Sequence, residues 1–354
     1  MKIFVLTDSP SPYQVELFNE IETQRGCELR VGYLRSRDPL RQWTAPQIRH
    51  EAIDLKVNGL GSARDAVREA NLVVFNYYFH PQATELIGER ARRGGPWCFW
   101  GERPGFRQPA WAGRLIRRWK LARLHGSAVP IWGIGKFAVD EYRREFGLRR
   151  AYFNFPYFSN LERFANVAAS RERSERVFLF CGSLIARKGV DLMARAFVRL
   201  ARERPEVRLK IAGDGELRQS LAQGLQPIAD RVEFTGFKDW DELPELYAAV
   251  DVLCVPSRYD GWGLVVPEGL AAGLPVIATN RMGSALEFVR TSVNGWLIPA
   301  GDESAILDAM REAAQLTDVE LERLSRAARE SVKGHTLAHG AARFVQFAEE
   351  AVAP

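Results

Sequence analysis

Cysteine is scarce in this 354-residue chain, and its four residues stand far apart, at 27, 98, 181 and 254. Their spacing matches neither a disulfide framework nor a zinc module, and three of them sit in apolar runs. They are expected to be small buried hydrophobes in a reducing compartment. Long hydrophobic stretches are missing too, since no run approaches the roughly 20 apolar residues that span a bilayer. The opening Met1 to Leu6 reads as a strand ending at Asp8 rather than as a leader, so the expected location is cytoplasmic, with the inner face of the membrane as a place for peripheral contact. Internal repeats and low-complexity tracts are absent. Neither sign of charge dominates: 49 Lys and Arg stand against 44 Asp and Glu, a net +5. That mild excess suits a nucleotide substrate or an anionic membrane surface. Nucleic acid is not expected, because no recognised binding motif accompanies the basic residues.

What is present is ordinary globular material, 46% hydrophobic and 26% charged, long enough for two domains. Strand and helix patterns alternate along the first half. Strands are expected at Lys2–Leu6, Leu29–Leu34, Leu72–Tyr78, Trp97–Trp100, Ala128–Trp132 and Tyr152–Phe155. Helices are expected from Gln14, over Ser62–Ala70, over Gln82–Arg93 and over Lys136–Phe146. Residues 36–50 read as a loop. This alternation predicts a parallel sheet flanked by helices. Residues 159–176 are polar and read as a linker between domains 1–158 and 177–335.

The second half opens with the apolar run Val177 to Cys181, a Gly182-Ser183 turn and a helix from Gly189. On that helix Met193, Ala196, Phe197 and Leu200 recur on one face. Arg187 and Lys188 lie between strand and helix, where a fixed cationic pair beside a helix start would meet an anion such as phosphate. Further on, a buried-type strand, Asp251 to Val255, leads through Pro256 into Asp260-Gly261-Trp262-Gly263-Leu264 and a helix carrying Glu268. Asp239-Trp240-Asp241 spells a D-x-D, but its place before a helix reads as a cap rather than a metal site. Gly283-Ser284 precedes a short helix, Ala285 to Val289, and free amides there would also face a phosphate. Asn294-Gly295 reads as a hairpin-type turn. The tail, Leu321 to Val352, is helical with a break near Gly334.

Taken in order, three motifs resemble the retaining GT-B glycosyltransferases of family four, the glycosyl transferases group 1. That family carries G-R-L-x-x-x-K-G, I-x-G-x-G and an E-x7-E pair. Here they read Gly182-Ser183-Leu184-Ile185-Ala186-Arg187-Lys188-Gly189, Ile211-Ala212-Gly213-Asp214-Gly215 and Asp260-Gly261-Trp262-Gly263-Leu264 to Glu268. Ser183 stands where the family has a phosphate-binding Arg, with Arg187 four residues on. Asp260 replaces the first Glu with a shorter carboxylate. The resemblance covers about Val177 to Asp302.

It implies an α/β GT-B fold of two Rossmann-like domains whose parallel sheets face across a cleft, with a final helix, 336–354, crossing back to the first domain. It implies a nucleotide-sugar donor, UDP or GDP, and neither cofactor nor metal. Lys188 and Arg187 would stabilise the leaving diphosphate. Asp260 and the main chain of Gly261, Trp262, Gly263 and Leu264 would hold the sugar, and Glu268 the ribose. Gly182, Ser183, Gly213 and Phe237 would complete the donor site, with Phe237 beside the base. The acceptor, a carbohydrate or a lipid-linked saccharide, would meet Glu102, which stands where relatives end the strand in a histidine, or else His80. The Ser-Pro-Ser-Pro-Tyr loop at 9–13 would lie on the acceptor side. Two other readings share this donor chemistry: a nucleotide-sugar epimerase of the same fold, and a non-catalytic nucleotide-sugar binder.

Pro109 to His125 stands apart from these motifs. Trp111, Leu115, Trp119 and Ala122 share a helical face, and Arg114, Arg117, Arg118, Lys120 and Arg123 take most of the rest. The pattern suits either a domain helix with its apolar face buried, or the surface of an anionic bilayer over Trp111–Arg123.

Overall fold

The computed structural model describes residues 1–38, 42–44, 46–78, 80–104, 110–167 and 175–353; the side chains of Ala110 and Trp111 are outside that description. The expectations placed on the Trp111 ring and on residues 168–174 of the stretch read as linker lie outside the described residues. The chain forms two compact units, Met1–Asn160 with Thr336–Pro354, and Leu161–His335.

The first unit is built on a seven-stranded sheet: β1 (Lys2–Thr7), β2 (Glu28–Tyr33), β3 (Glu51–Asp54), β4 (Leu72–Phe75), β5 (Trp97–Gly101), β6 (Ile131–Gly133) and β7 (Tyr152–Asn154). Its order is β3-β2-β1-β4-β5-β6-β7 and every pairing is parallel. Helices cover both faces of such a sheet, so its central strands carry unbroken apolar runs. All four residues of β4, Leu72-Val73-Val74-Phe75, are buried. β3 follows the stretch read as loop. Only its last two residues are shielded, so no apolar alternation announces it.

The first helix, Pro12–Ile21, starts on its proline, which needs no amide partner there. The tail helix Leu337–Val352, capped by the Thr336 hydroxyl on the His339 amide, packs beside it. Phe344 of that helix meets Trp132 edge-on at 5.2 Å between centroids.

The second unit holds β8 (Arg176–Cys181), β9 (Val207–Ala212), β10 (Val232–Gly236), β11 (Val252–Val255), β12 (Val276–Thr279) and β13 (Gly295–Ile298). The order is β10-β9-β8-β11-β12-β13, again all parallel. Two Rossmann-like sheets are therefore present. The helix Val190–Glu203 buries Val190, Met193, Ala196, Phe197 and Leu200 against this sheet, the spacing read from sequence. The helix Asp318–Val332 starts with a reciprocal capping box between Thr317 and Glu320.

Two expectations are corrected here. Asn294-Gly295 is no hairpin turn, because β13 runs parallel to β12. Asn294 instead spends its side chain on local backbone, accepting from the Arg290 amide at 2.7 Å and donating to the Phe288 carbonyl at 2.9 Å. A side chain at Gly295 would strike the Val276 carbonyl at 2.2 Å. The stretch read as a linker is also not free chain throughout. Leu161 and Phe164 are buried in the second unit, where Phe164 meets the Tyr247 ring at 5.3 Å. The few apolar residues of this polar segment gave too weak a period to read.

Candidate functional site

The strand order of the second unit reverses between β8 and β11. The chain leaves β8 towards β9 and β10 on one side, and leaves β11 towards β12 and β13 on the other. In sheets of this kind ligands bind beyond the carboxyl ends of the strands at such a reversal. The loops after β8 and β11 are 182–189 and 256–264, which carry two of the three motifs.

Backbone packing locks the second motif, Ile211 to Gly215, to the first. The Leu184 amide donates to the Asp214 carbonyl at 2.8 Å, and the Leu217 amide returns to the Leu184 carbonyl at 2.9 Å. Gly213 has φ +130°, and a Cβ there would lie 1.9 Å from the Gly182 carbonyl oxygen. Gly189, left-handed at φ +72°, would collide with the Pro256 carbonyl at 2.0 Å. Glycine stands at both positions because only a bare Cα lets main chains approach this closely.

The Ala186–Lys188 turn presents its cations to the opposite loop. The Lys188 ammonium pairs with the Asp260 carboxylate, and both side chains are largely shielded. The Arg187 guanidinium donates to the Tyr259 carbonyl at 3.0 Å and lies 3.9 Å from Asp260. Sequence reading missed the clamp that sets this geometry. Arg258 makes a two-pronged pair with Asp191 at 2.6 and 2.7 Å, and its amide donates to the Arg187 carbonyl at 2.9 Å. The partners are 67 residues apart, so no local spacing reveals them.

Glu268 lies on the helix Val265–Ala271. Burial pushes its carboxyl up to about 7, while the Arg163 charge and the Tyr247 hydroxyl pull the other way without cancelling it. Arg163 comes from the stretch read as linker, and its guanidinium lies over the Trp240 ring at 4.4 Å. With the folded value raised above the ordinary 4.5, the neutral acid is the form that folding favours. The contribution to stability is complete below the unfolded value and is lost as pH rises towards about 7. Glu268→Gln is therefore expected to gain stability relative to the unmodified, ligand-free protein between pH 5 and pH 8, on the order of 1–3 kcal/mol. Urea melts at the two pH values check this; parallel pH dependence in both proteins would contradict it.

The remaining positions divide. Phe237, just past the left-handed Gly236, is 40% exposed and open to a flat partner. Ser183 is half-buried in the first turn. Gly261 is buried, Gly263 has φ +86° with the Asp260 carboxyl 3.6 Å from its Cβ position, and Leu264 leads into the Glu268 helix. The Trp262 ring points away into the core, against Phe288 at 5.9 Å and His335 at 6.2 Å, so only its main chain can face a ligand at the strand ends.

The amides of Gly283 and Ser284, expected to face a phosphate, are already used. They donate to the Asp260 and Trp262 carbonyls at 3.4 and 3.0 Å. Asp239 accepts from the Trp240 amide at 2.8 Å in the turn before the helix Leu243–Ala248, whose cap position belongs to Glu242.

In the first unit the order reverses between β1 and β4. Asn76 bridges that point. It accepts from Thr7 at 2.9 Å and Gln14 at 2.7 Å, and donates to the Trp100 carbonyl at 3.0 Å. Glu102, exposed just past β5, has its carbonyl held by the Tyr142 hydroxyl at 2.5 Å. Arg103 beside it is buried with its guanidinium 3.7 Å above the Phe137 ring. His80 caps the helix Pro81–Arg92, its Nδ1 accepting from the Gln82 amide at 3.3 Å.

With this geometry in hand, comparison with known proteins places the chain. The family model "Glycosyl transferases group 1" matches residues 175–315, inside the second unit. A GDP-mannose-dependent alpha-(1-6)-phosphatidylinositol monomannoside mannosyltransferase of Mycolicibacterium smegmatis is 30% identical over 243 residues, covering 64% of this chain and 63% of that protein. An uncharacterized glycosyltransferase of Methanocaldococcus jannaschii is 36% identical over 133 residues, 37% of this chain and 34% of its own. The chain thus spans a third to just under two thirds of the length of these relatives.

Among solved structures, Anabaena HepE in complex with UDP and glucose aligns at TM-score 0.73 with 16% identity, over 99% of this chain and 100% of that one. WaaG, a glycosyltransferase involved in lipopolysaccharide biosynthesis, aligns at 0.71 with 16% identity, over 98% and 99%. At such identities these likenesses speak for the architecture. Motif order and two parallel sheets agree with these likenesses: the chain has the GT-B fold, and its residues 175–315 match the group 1 glycosyl transferase family model.

Proposed function

We propose that the protein transfers a hexosyl group from a nucleotide diphosphate sugar, UDP- or GDP-linked, to an acceptor hydroxyl, with retention at the anomeric carbon and without a metal ion. The observation that carries this reading is the Lys188–Asp260 pair, with Arg187 beside it, at the strand-order reversal of the second unit. Breaking the glycosyl–phosphate bond builds negative charge on the diphosphate. A held ammonium and guanidinium stabilise that charge more than they stabilise the bound donor, which is what lowers a barrier. Asp260, short and hydrogen-bonded through its backbone, accepts from hydroxyls of the sugar. Glu268 accepts from the ribose, whose hydroxyls favour its ionised form. Phe237 stacks on the base. Glu102 is the group of the first unit that binds the acceptor or takes its proton.

The named relatives support the donor class: one is GDP-mannose-dependent, and one aligned structure holds UDP. The acceptor is a carbohydrate or lipid-linked saccharide in surface polysaccharide or glycolipid assembly, at the cytoplasmic face of a membrane. Among the described residues no helix is long and apolar enough to cross one.

Thermal-shift titration with UDP, GDP, ADP and CMP in EDTA tests the reading. A nucleotide that binds only the folded state raises stability by about 2.7 kcal/mol at a hundred times its dissociation constant. One nucleotide is expected to act, and Lys188→Ala to weaken it. No shift with any of the four would sink the proposal. A shift without turnover on any acceptor would favour a binder, and conversion of the donor alone an epimerase.

A further inference from the structure

The helix Glu162–Ala165 is a short piece of the stretch read as linker, and it packs on the helices Leu243–Ala248 and Val265–Ala271 of the second unit. Its buried side is Phe164, whose ring lies 5.3 Å from that of Tyr247, and Leu161 just before it is buried as well. Arg163, half-buried between these two anchors in sequence, lays its guanidinium over the Trp240 ring at 4.4 Å, a cation on an aromatic face. Trp240 belongs to the loop after β10 that also carries Phe237. The Arg163 charge acts on Glu268, on the helix Val265–Ala271, and on Asp241 beside Trp240. Burial works against that charge, and the two carboxyl groups support it. One side chain therefore joins the loop assigned to the base and the helix assigned to the ribose.

The groups around Glu268 leave this charge decisive. Tyr247 and Cys181 also interact with the carboxyl. Burial pushes the Tyr247 hydroxyl well up and the Cys181 thiol up to about 12, so both stay neutral through the neutral pH range. Lys188 acts on Cys181 and is paired with Asp260. The strands β11 and β12, which pack on the Glu268 helix, carry no carboxylate or cation. The helix Gly283–Phe288 contributes Glu287. The helix Asp318–Val332 turns Arg329 to the Ala272 carbonyl at 3.3 Å and the Ser325 hydroxyl at 3.1 Å.

We propose that Arg163 is a positioning residue of the donor site: stacked on Trp240, it holds Glu268 as the acceptor for the ribose hydroxyls and ties that carboxylate to the loop carrying Phe237. The proposal rests on the ribose role given to Glu268 above. Arg163 acts through Glu268 rather than on the sugar. A carboxylate accepts from both ribose hydroxyls, and protonation turns one of its oxygens into a donor. Ribose binding therefore releases a proton wherever the carboxyl was neutral, and a cation beside it eases that release.

Isothermal titration calorimetry of the full chain across pH 5 to pH 9 tests this, with UDP and GDP each set beside its 2′,3′-dideoxy form. The dideoxy form carries the same base and diphosphate, so the ratio of the two dissociation constants isolates the ribose contact. In the unmodified protein the preference for the ribonucleotide is expected to grow with pH and to level off above about pH 7. In Arg163→Gln the rise should move up by about one pH unit, which lowers the preference about tenfold at a pH below it. Arg163→Lys returns the charge and should restore most of the rise. Trp240→Leu keeps the charge but removes its platform, and should move the rise the same way by less. It carries the test alone should Arg163→Gln fail to fold, which circular dichroism reads. A rise at the same pH in the folded variants would overturn the inference and leave the donor reading standing. So would an equal weakening of ribo- and dideoxynucleotide at every pH. Binding of neither UDP nor GDP to the unmodified protein at any pH would overturn the donor reading, and the inference with it.

Discussion

Lys188→Ala is expected to lower turnover at saturating donor by about 10²–10³-fold, the cost of one preorganised charge at a developing anion, about 3–4 kcal/mol in the barrier. On the proposed transfer the effect belongs in kcat more than in KM, because the interaction would strengthen as a leaving diphosphate gained charge. Structure adds a second expectation that sequence reading lacked. Lys188 is paired with Asp260, so its removal leaves a shielded carboxylate with the Arg187 guanidinium 3.9 Å away. Asp260→Asn in the Lys188→Ala background should therefore cost less than Asp260→Asn alone, a non-additivity of contacting residues. A double-mutant cycle on kcat, with circular dichroism to confirm folding, measures both. Unchanged turnover in Lys188→Ala would remove Lys188 from the chemistry, and strict additivity would show that the pair is not maintained in the working enzyme.

Trp262→Ala is expected to cost about 3–5 kcal/mol of stability, the range for emptying a buried aromatic site. Sequence reading gave Trp262 a donor-side role through its main chain and left the ring unassigned. Structure makes its ring a core element, 1% exposed between Phe288 and His335. Loss of the ring also undermines the carbonyls of Trp262 and Gly263, which accept from the buried Ser284 hydroxyl at 2.7 Å each. Trp262→Phe keeps most of the volume and should cost far less while leaving nucleotide binding in place. Urea unfolding midpoints separate the two variants. A Trp262→Ala protein as stable as the original but blind to nucleotide would put the ring on the binding surface instead.

The elements that sequence reading placed well are those with a strong local period. The Val190–Glu203 helix shows its buried face in Met193, Ala196, Phe197 and Leu200, and β11 shows itself as an unbroken apolar run. The glycine turns were legible for the same reason. Gly189 and Gly213 stand where backbone meets backbone, and no other residue tolerates the contact. The elements missed depend on distant partners. Arg163 looks like a linker charge until the fold sets it against Glu268 and Trp240. The Arg258–Asp191 clamp has no signature in either segment. Gly283 and Ser284 read as free amides, because the carbonyls that take them belong to the Asp260 loop.

The sequence by itself determined that this is a two-domain α/β protein with cations and carboxylates on glycine turns after successive parallel strands. Those features follow from side-chain period and backbone sterics over a few residues. Only the tertiary structure decided which of those charges meet and which way the basic helix faces. Lys188 finds Asp260 because β8 and β11 are neighbours in the sheet, and Glu268 titrates near neutrality because the chain buries it. Trp119 lies outside because Arg117 found Glu145. Periodicity says that a helix has two faces, but the partner across the interface chooses between them.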